Sequence, residues 1–522
     1  MSEKREPASR RVATVRFGAV MLDPRASYEA LQTRDERFDG RLFVGVISTG
    51  VYCRPVCPAR PAKFENCRFY PSAAAAQAAG FRPCLRCRPE TAPEAGSWRG
   101  TFNTVSRGLA LIADGHLDGS EDRVHRLAER LGIGERQLRR LFQQHLGATP
   151  VAVAQTRRVL LATQLIRETR LPMAEIAHAS GFRSVRRFNE TFQQVFHRSP
   201  GALRRRSGSS LPEESISRQG VTVRLRYRPP YDWAAMLAHL SARAIEGVER
   251  VEGAAYFRTA LHGDHIGVVE VTHDSSRASL VATIRIPCVR ALPGIVARIR
   301  RAFDLGADVT AIGSHLAGDP LLAPLVARRP GLRVPGGWDG FEFAVRAVLG
   351  QQVSVPVARM LAGRLARLCG APLVGAEAAH RALRRAFPTP TQLARADLAA
   401  LAIPEARRRS LLGLARATQD DPTLFQPLGT IDQTVAKLRA IPGIGEWTAQ
   451  LIALRVAREP DAFPASDRAL LRVAALRIGA AVDSVQLLER AQRWRPWRAY
   501  AAQHLWAFDA ELRSPSIAEG PS

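Results

Sequence analysis

Lysine is almost missing from this 522-residue chain, which has only Lys4, Lys63 and Lys437. Lysine chemistry therefore has very few possible seats. Long apolar runs are missing too: no stretch nears the roughly 18 uninterrupted apolar residues of a membrane span. The charged start, Met1 to Arg16, has no apolar core of a signal peptide. Cysteine is scarce, 7 in all. Three of them, Cys67, Cys288 and Cys369, are scattered, so no disulfide framework is read and a reducing cytoplasm is expected. Negative charge is in the minority, 48 Asp and Glu against 75 Lys and Arg, for a formal net charge of +27. The excess is densest over residues 98–210, at 19 basic against 9 acidic residues, as on a surface that neutralises phosphates. A chain of this length with 46% apolar residues holds three or four domains.

The other four cysteines are paired at short spacing, Cys53 with Cys57 as C-x3-C and Cys84 with Cys87 as C-x2-C. Two such chelating pairs are what one tetrahedral Zn(Cys)4 site needs, so Zn2+ is the expected metal. On spacing alone the site is a structural zinc knuckle. Around the cysteines run Ser48-Thr49-Gly50-Val51-Tyr52-Cys53-Arg54-Pro55, Cys57-Pro58-Ala59-Arg60 and Ala79-Gly80-Phe81-Arg82-Pro83-Cys84-Leu85-Arg86-Cys87. This text resembles the N-terminal domain of the Ada family, in which one zinc-bound cysteine accepts a methyl group from a DNA methylphosphotriester. The resemblance implies Cys53 as the acceptor and Thr49, Arg60 and Arg82 as DNA-contacting positions, with Pro58 where the family has a basic contact. Four thiolates on Zn2+ carry a net charge of about −2, which DNA repels. One methyl transfer halves that charge, so the field of nearby Arg54, Arg60 and Arg82 should then bind DNA more strongly. Cys288 lies in Ile286-Pro287-Cys288-Val289-Arg290 without the histidine of the family's second methyltransferase box. It reads as a buried cysteine at a strand end, and that second activity as absent.

The middle segment is helical, with two helix-turn-helix patterns. Val124, Leu127 and Leu131 precede Gly132, and Leu138, Leu141 and Phe142 line the next helix. Ile176 and Ala177 precede Gly181-Phe182, followed by Phe188, Phe192 and Val195. The opposite faces carry Arg136, Gln137, Arg139, Arg140 and Gln143, then Arg183, Arg186, Arg187 and Asn189, residue types that read bases and grip phosphates. Closed by His197-Arg198-Ser199-Pro200, the pair resembles the AraC-family DNA-binding domain, with Glu190 where that family has a basic residue. Arg136, Arg139, Arg186 and Arg187 are the expected contacts.

After a Ser- and Gly-rich linker come the alternations Val221–Leu225, Gly267–Val271 and Leu280–Ile286, read as a small antiparallel sheet. From about residue 291 the pattern is helical. Ile441-Pro442-Gly443-Ile444-Gly445-Glu446-Trp447 is a glycine hairpin between helices, which lets backbone N–H groups approach a phosphate at a helix start. Asp467 follows before an apolar helical run, the position of an N-cap. Together with Arg226–Trp233, Arg346–Ser354 and Arg495–Tyr500, these segments resemble the AlkA family, 3-methyladenine DNA glycosylase II, of the helix-hairpin-helix superfamily. The resemblance implies Asp467 as the catalytic carboxylate, Gly443 and Gly445 as the DNA clamp, and Trp447 and Trp506 as the base pocket. It also places Gln352 at the wedge position, where the family has leucine, and Leu451 where it has an aromatic residue. Glycosylases that also cut the backbone carry a lysine where Trp447 stands, so base excision here should be monofunctional and need no cofactor.

The expected fold is multidomain α+β. A small mixed α/β zinc domain spans 15–95, an all-α double helix-turn-helix domain 98–206 and a linker 207–219. An antiparallel β-rich subdomain covers 220–290, and an all-α helix-hairpin-helix glycosylase domain 291–513. The whole resembles fused Ada–AlkA regulators and repair enzymes of bacteria. That implies double-stranded DNA, alkylated or as promoter operator, and RNA polymerase as partners, no membrane, and a monomer. A regulator with structural zinc and an inactive glycosylase fold is the alternative.

Overall fold

The computed structural model describes residues 23–93, 103–117, 123–206, 220–374, 382–428 and 430–513. The segment read as a linker, 207–219, lies outside them, as do residues 15–22 and 98–102 of the expected domains.

The N-terminal module is a mixed sheet of order β3-β1-β2-β4, with β1 at Phe43–Val46, β2 at Val51–Cys53, β3 at Cys67–Tyr70 and β4 at Arg82–Pro83. Strand β2 pairs antiparallel with β1 and parallel with β4, Tyr52 facing Pro83. Helices Pro24–Gln32 and Ala73–Ala78 flank it, the first capped by the Asp23 carboxylate on the Arg25 N–H at 3.0 Å.

Two helix-turn-helix units follow, Arg123–Arg130 with Glu135–Leu146 and Met173–Ala179 with Val185–Phe196. Helix Pro150–Glu168, 19 residues long and so roughly 28 Å, joins them. Their apolar stripes are core: Leu138, Phe142, Phe188 and Phe192 are all fully buried. Phe182, Phe188, Phe192 and Phe196 form a ring ladder with centroids 5.4, 4.8 and 5.2 Å apart.

The second sheet is antiparallel throughout, of order β5-β9-β8-β7-β6. Its strands are β5 (Val221–Arg226), β6 (Glu249–Glu252), β7 (Ala255–His262), β8 (His265–Asp274) and β9 (Ser279–Arg285). Sequence patterning missed β6 and β7 for a physical reason. Strand β6 is a charged edge, and β7 buries Arg258 and Thr259 as well as its apolar residues, which destroys the alternation. Cys288 is only partly buried, three residues beyond β9. Helix Leu292–Ala302, beyond the expected 290/291 boundary, packs Ile295 and Ile299 on this sheet. The second helix-turn-helix unit docks there as well: Ile176, Phe188, Val223, Leu225 and Phe303 belong to one buried cluster. A separate helical core, built around Val345, Leu411, Ala449 and Leu470, carries the hairpin and Asp467.

Candidate functional site

The mixed sheet brings the paired cysteines together. Cys53 ends β2, and the Cys84 N–H donates to the Tyr52 carbonyl at 3.0 Å just past β4. Each pair closes on a tight turn, Cys57 N–H onto Arg54 C=O and Arg88 N–H onto Cys84 C=O, both at 3.2 Å, with Arg88 at φ +54°. The four Sγ atoms lie within 4.8 Å of one another, the single such group of metal-ligating residues among those described. Sulfurs on a tetrahedral zinc sit about 3.8 Å apart, so a donor set gathered this closely fits Zn2+. Hydrogen bonds from the other three thiols, Cys53 first, hold the Cys84 thiol far below its ordinary value.

Arg54 departs from expectation. It is 2% exposed, its N–H donates to Cys87 Sγ at 3.3 Å, and its guanidinium donates to the Asp39 carboxylate at 2.7 Å and the Cys87 carbonyl at 3.0 Å. Asp39 cancels its charge, so Arg54 is a strut inside the knuckle and adds little field toward DNA. Thr49 and Arg60 are exposed and Arg82 partly so. Arg34 was missed by sequence reasoning: 24 positions away, it donates to the Pro58 carbonyl at 3.2 Å. It thereby brings a guanidinium beside Pro58, a contact in space that no local motif could show.

At the helix-turn-helix units, Arg136, Arg139, Arg186 and Arg187 are all exposed. Arg139 pairs with Glu135 at 2.6 Å, and Glu190 holds Arg186 at 2.8 Å and Arg187 at 3.7 Å. Glu190 thus orients two arginines along their own helix.

The glycine hairpin joins helices Ile431–Arg439 and Glu446–Arg455. Gly443 takes φ +85°, and a Cβ there would lie 1.9 Å from Ser410 Oγ. Gly445 is the N-cap at φ −80°, where a Cβ would meet nothing within 4 Å, leaving room for a phosphate at the helix start. The next residues, Trp447 onward, line a cavity of about 790 Å³ that also contains Leu451, Asp467 and Trp506.

Asp467 is an N-cap and a pocket residue at once. Its Oδ1 accepts from Ala469 N–H at 3.0 Å, Leu470 N–H at 3.2 Å and Trp506 Nε1–H at 3.0 Å. Among the described residues its Oδ2 accepts only Trp447 Nε1–H, at 2.9 Å. A carboxylate oxygen has about two acceptor sites, so Oδ1 is saturated and Oδ2 keeps one free. Both pocket tryptophans therefore aim the charge as well as line the wall. Gln352 is exposed at φ +58°, a left-handed backbone that only an over-determined loop supports. Its neighbour Gln351, which sequence reasoning did not single out, determines it: Nε2 donates to the Gly443 carbonyl at 2.9 Å and Thr448 Oγ1 at 3.1 Å, while Arg407 donates to its carbonyl at 2.7 Å. Loop and hairpin are one unit.

A four-cysteine metal-binding module, a double helix-turn-helix and a helix-hairpin-helix fold with an aspartate in its cavity define the class: a DNA glycosylase fused to a DNA-binding regulator. Family models match three segments. The metal binding domain of Ada matches residues 26–90, a helix-turn-helix domain 127–206 and the AlkA N-terminal domain 222–339. The chain is 43% identical over 481 residues, 92% of its length and 95% of the relative's, to the probable bifunctional transcriptional activator/DNA repair enzyme AlkA of Mycobacterium tuberculosis (strain CDC 1551 / Oshkosh). DNA-3-methyladenine glycosylase 2 of Escherichia coli (strain K12) is 36% identical over 285 residues, 54% of this chain and 95% of that one. The bifunctional transcriptional activator/DNA repair enzyme Ada of the same organism is 34% identical over 134 residues, 26% of this chain and 36% of that one. The chain belongs to the family of bifunctional AlkA-type transcriptional activators and DNA repair enzymes.

Proposed function

We propose that this protein excises alkylated bases of the 3-methyladenine type from duplex DNA, accepts methyl groups from DNA methylphosphotriesters on Cys53, and regulates transcription. The observation that carries the excision reading is Asp467, held by two indole N–H donors and a helix N-terminus in the wall of the cavity. Backbone N–H groups at Gly443–Gly445 grip a phosphate, Gln352 enters the stack, and the flipped base sits against Trp447 and Trp506. A cationic base is attracted to the indole faces. As the C1′–N bond breaks, positive charge grows on the sugar and Asp467 Oδ2 stabilises it while orienting the attacking water. Trp447 occupies the place of a lyase lysine, and Lys437 is ion-paired with Asp421 ahead of the hairpin. Both support a monofunctional reaction that leaves an abasic site.

In the first module, Zn2+ when bound keeps the thiolates deprotonated and nucleophilic. Cys53 Sγ attacks the methyl carbon; the S–C bond forms as the C–O bond breaks, and the phosphodiester leaves with the electron pair. Cys53 becomes a neutral thioether, and the module repels DNA less. Thr49, Arg60, Arg82 and Arg34 meet the damaged strand. Arg136, Arg139, Arg186 and Arg187 meet the operator, with RNA polymerase as the partner in activation and the chain acting as a cytoplasmic monomer. Among the described residues no helix is long and apolar enough to cross a membrane.

Incubating the purified chain with N-methylated duplex DNA tests the excision reading. Free methylated base and abasic sites are expected, without strand scission beyond abasic decay and without a borohydride-trapped adduct. Scission with a trapped adduct would overturn the monofunctional assignment, and no released base would leave a regulator alone.

A further inference from the structure

The base pocket holds a cation that the reaction above does not use. Arg455 ends the helix begun by the hairpin, and Trp447, Leu451 and Arg455 recur every fourth residue, so one helical face lines the cavity. The Arg455 guanidinium lies 5.0 Å from the centroid of the Trp506 ring. Its Nη1 donates to the Pro335 carbonyl at 2.8 Å and its Nη2 to Gln503 Oε1 at 2.9 Å, both neutral acceptors. It is 6% exposed, and among the described residues no carboxylate pairs with it, whereas nearby Arg458 and Arg498 hold Asp304 and Asp461. Burial first, then Arg243 and Arg458, pull its pKa down to about 9, which still leaves a cation at neutral pH. Asp304 and Asp467 oppose that shift from a distance, but a buried cation with no carboxylate in direct contact still costs the fold stability that an apolar residue of similar volume would not.

We propose that Arg455 drives base departure electrostatically, setting both the rate and the preference between charged and uncharged bases. This rests on the excision reading. Trp506 stands between the two charges, its Nε1–H on Asp467 and its ring against Arg455. When the C1′–N bond breaks, its electron pair stays with the base. The oxygen of water bonds to C1′, and the water's proton passes to Asp467 and on to solvent. A cationic base leaves neutral; a neutral base leaves as an anion that takes a proton from water. In both cases the charge on the base falls by one beside Arg455, while positive charge appears on the sugar beside Asp467. Arg455 thus disfavours the starting charge distribution relative to the transition state. It also weakens binding of a cationic base while leaving binding of its neutral isostere unchanged.

The test uses the full chain with Arg455→Met, which keeps the stem, and Arg455→Lys, which keeps the charge. Thermal melting of both variants reports folding. Excision of 7-methylguanine from a duplex is followed under single-turnover conditions. Binding is measured to duplexes holding the cationic, uncleavable 2′-fluoro-7-methylguanosine or the uncharged 7-deaza-7-methylguanine. For Arg455→Met we expect excision slower by about 10- to 100-fold, less than the roughly 10²- to 10³-fold lost with a donor that touches the reacting group. We also expect several-fold tighter binding of the cationic duplex and no change for the neutral one. Arg455→Lys should stay within several-fold of wild type in all three. Equal affinity changes for the two duplexes, or Lys as slow as Met, would overturn the proposal. A wild-type chain that releases neither 7-methylguanine nor 3-methyladenine would refute the excision reading, while the binding comparison would still judge Arg455.

Discussion

In the function proposed here, Asp467 serves structure and chemistry together. The sequence offered two readings, an N-cap or a catalytic carboxylate; the structure shows the N-cap on Oδ1 and holds Oδ2 on Trp447, the oxygen that the proposed excision uses. What the chain order could not convey is the second function of Trp447 and Trp506: their Nε1–H groups lie 20 and 39 positions from Asp467 yet converge on it. The cysteines were the most readable residues, because chelating spacing is local. We expect the chain to hold one zinc, retained when Cys67, Cys288 and Cys369 are each changed to serine and lost or weakened when Cys57 or Cys84 is; metal analysis of the purified variants checks this. Arg54 was misread because its partner Asp39 lies 15 positions earlier, outside the motif. Arg34 and Arg455 went unread for the same reason: their contacts are made in space, not along the chain.

At the scale of elements, the hairpin's two glycines separate fold from binding. Gly443→Ala strains a backbone at φ +85° and drives a methyl into Ser410, so a loss of about 1–3 kcal/mol is expected in urea unfolding. Gly445→Ala fills open space at a permitted φ; stability should change by under about 0.5 kcal/mol while DNA affinity falls. Equal destabilisation by both would contradict this division. Just before the hairpin, Lys437 on helix Ile431–Arg439 meets Asp421. Burial would raise the Asp421 carboxyl, but hydrogen bonds from Lys437 and Thr423 win and hold it down to about 2. Its folded value lies below its unfolded one, so the stability it adds is complete above about pH 4 and is lost as pH falls toward 2. Both groups are about a third exposed, which limits the effect to about 1 kcal/mol. Lys437→Met should remove that part of the acid sensitivity and leave stability near pH 7 lower by no more than this. Strands β6 and β7 stayed hidden in the sequence because buried charge, Arg258 with Glu249 and Glu342, replaces apolar alternation there.

Across the whole molecule, the modules are packed together. Arg107, on helix Asn103–Ala113 ahead of the first helix-turn-helix unit, forks onto Glu459 of the glycosylase with two bonds of 2.7 Å, both side chains buried. Arg88 beside the zinc knuckle holds Glu168 at 2.6 Å. Removing one partner of a buried pair leaves an uncompensated charge, so Glu459→Gln should cost about 3–5 kcal/mol at that junction, read as earlier unfolding of the helix-turn-helix region in hydrogen exchange. Methylation of Cys53 should tighten binding to operator DNA by charge alone. With Arg54 neutralised by Asp39, exposed Arg60 and partly exposed Arg82 carry the field, and the gain should shrink as salt rises. A gain constant with salt would indicate a conformational switch. The most direct test of the central claim, that one carboxylate in this fold performs excision, is Asp467→Asn. Asparagine can still cap the helix, so folding and affinity for abasic-site DNA should be close to wild type, while single-turnover release of alkylated base should fall by about 10²- to 10⁴-fold. Release at the wild-type rate by a folded, DNA-binding Asp467→Asn protein would contradict it.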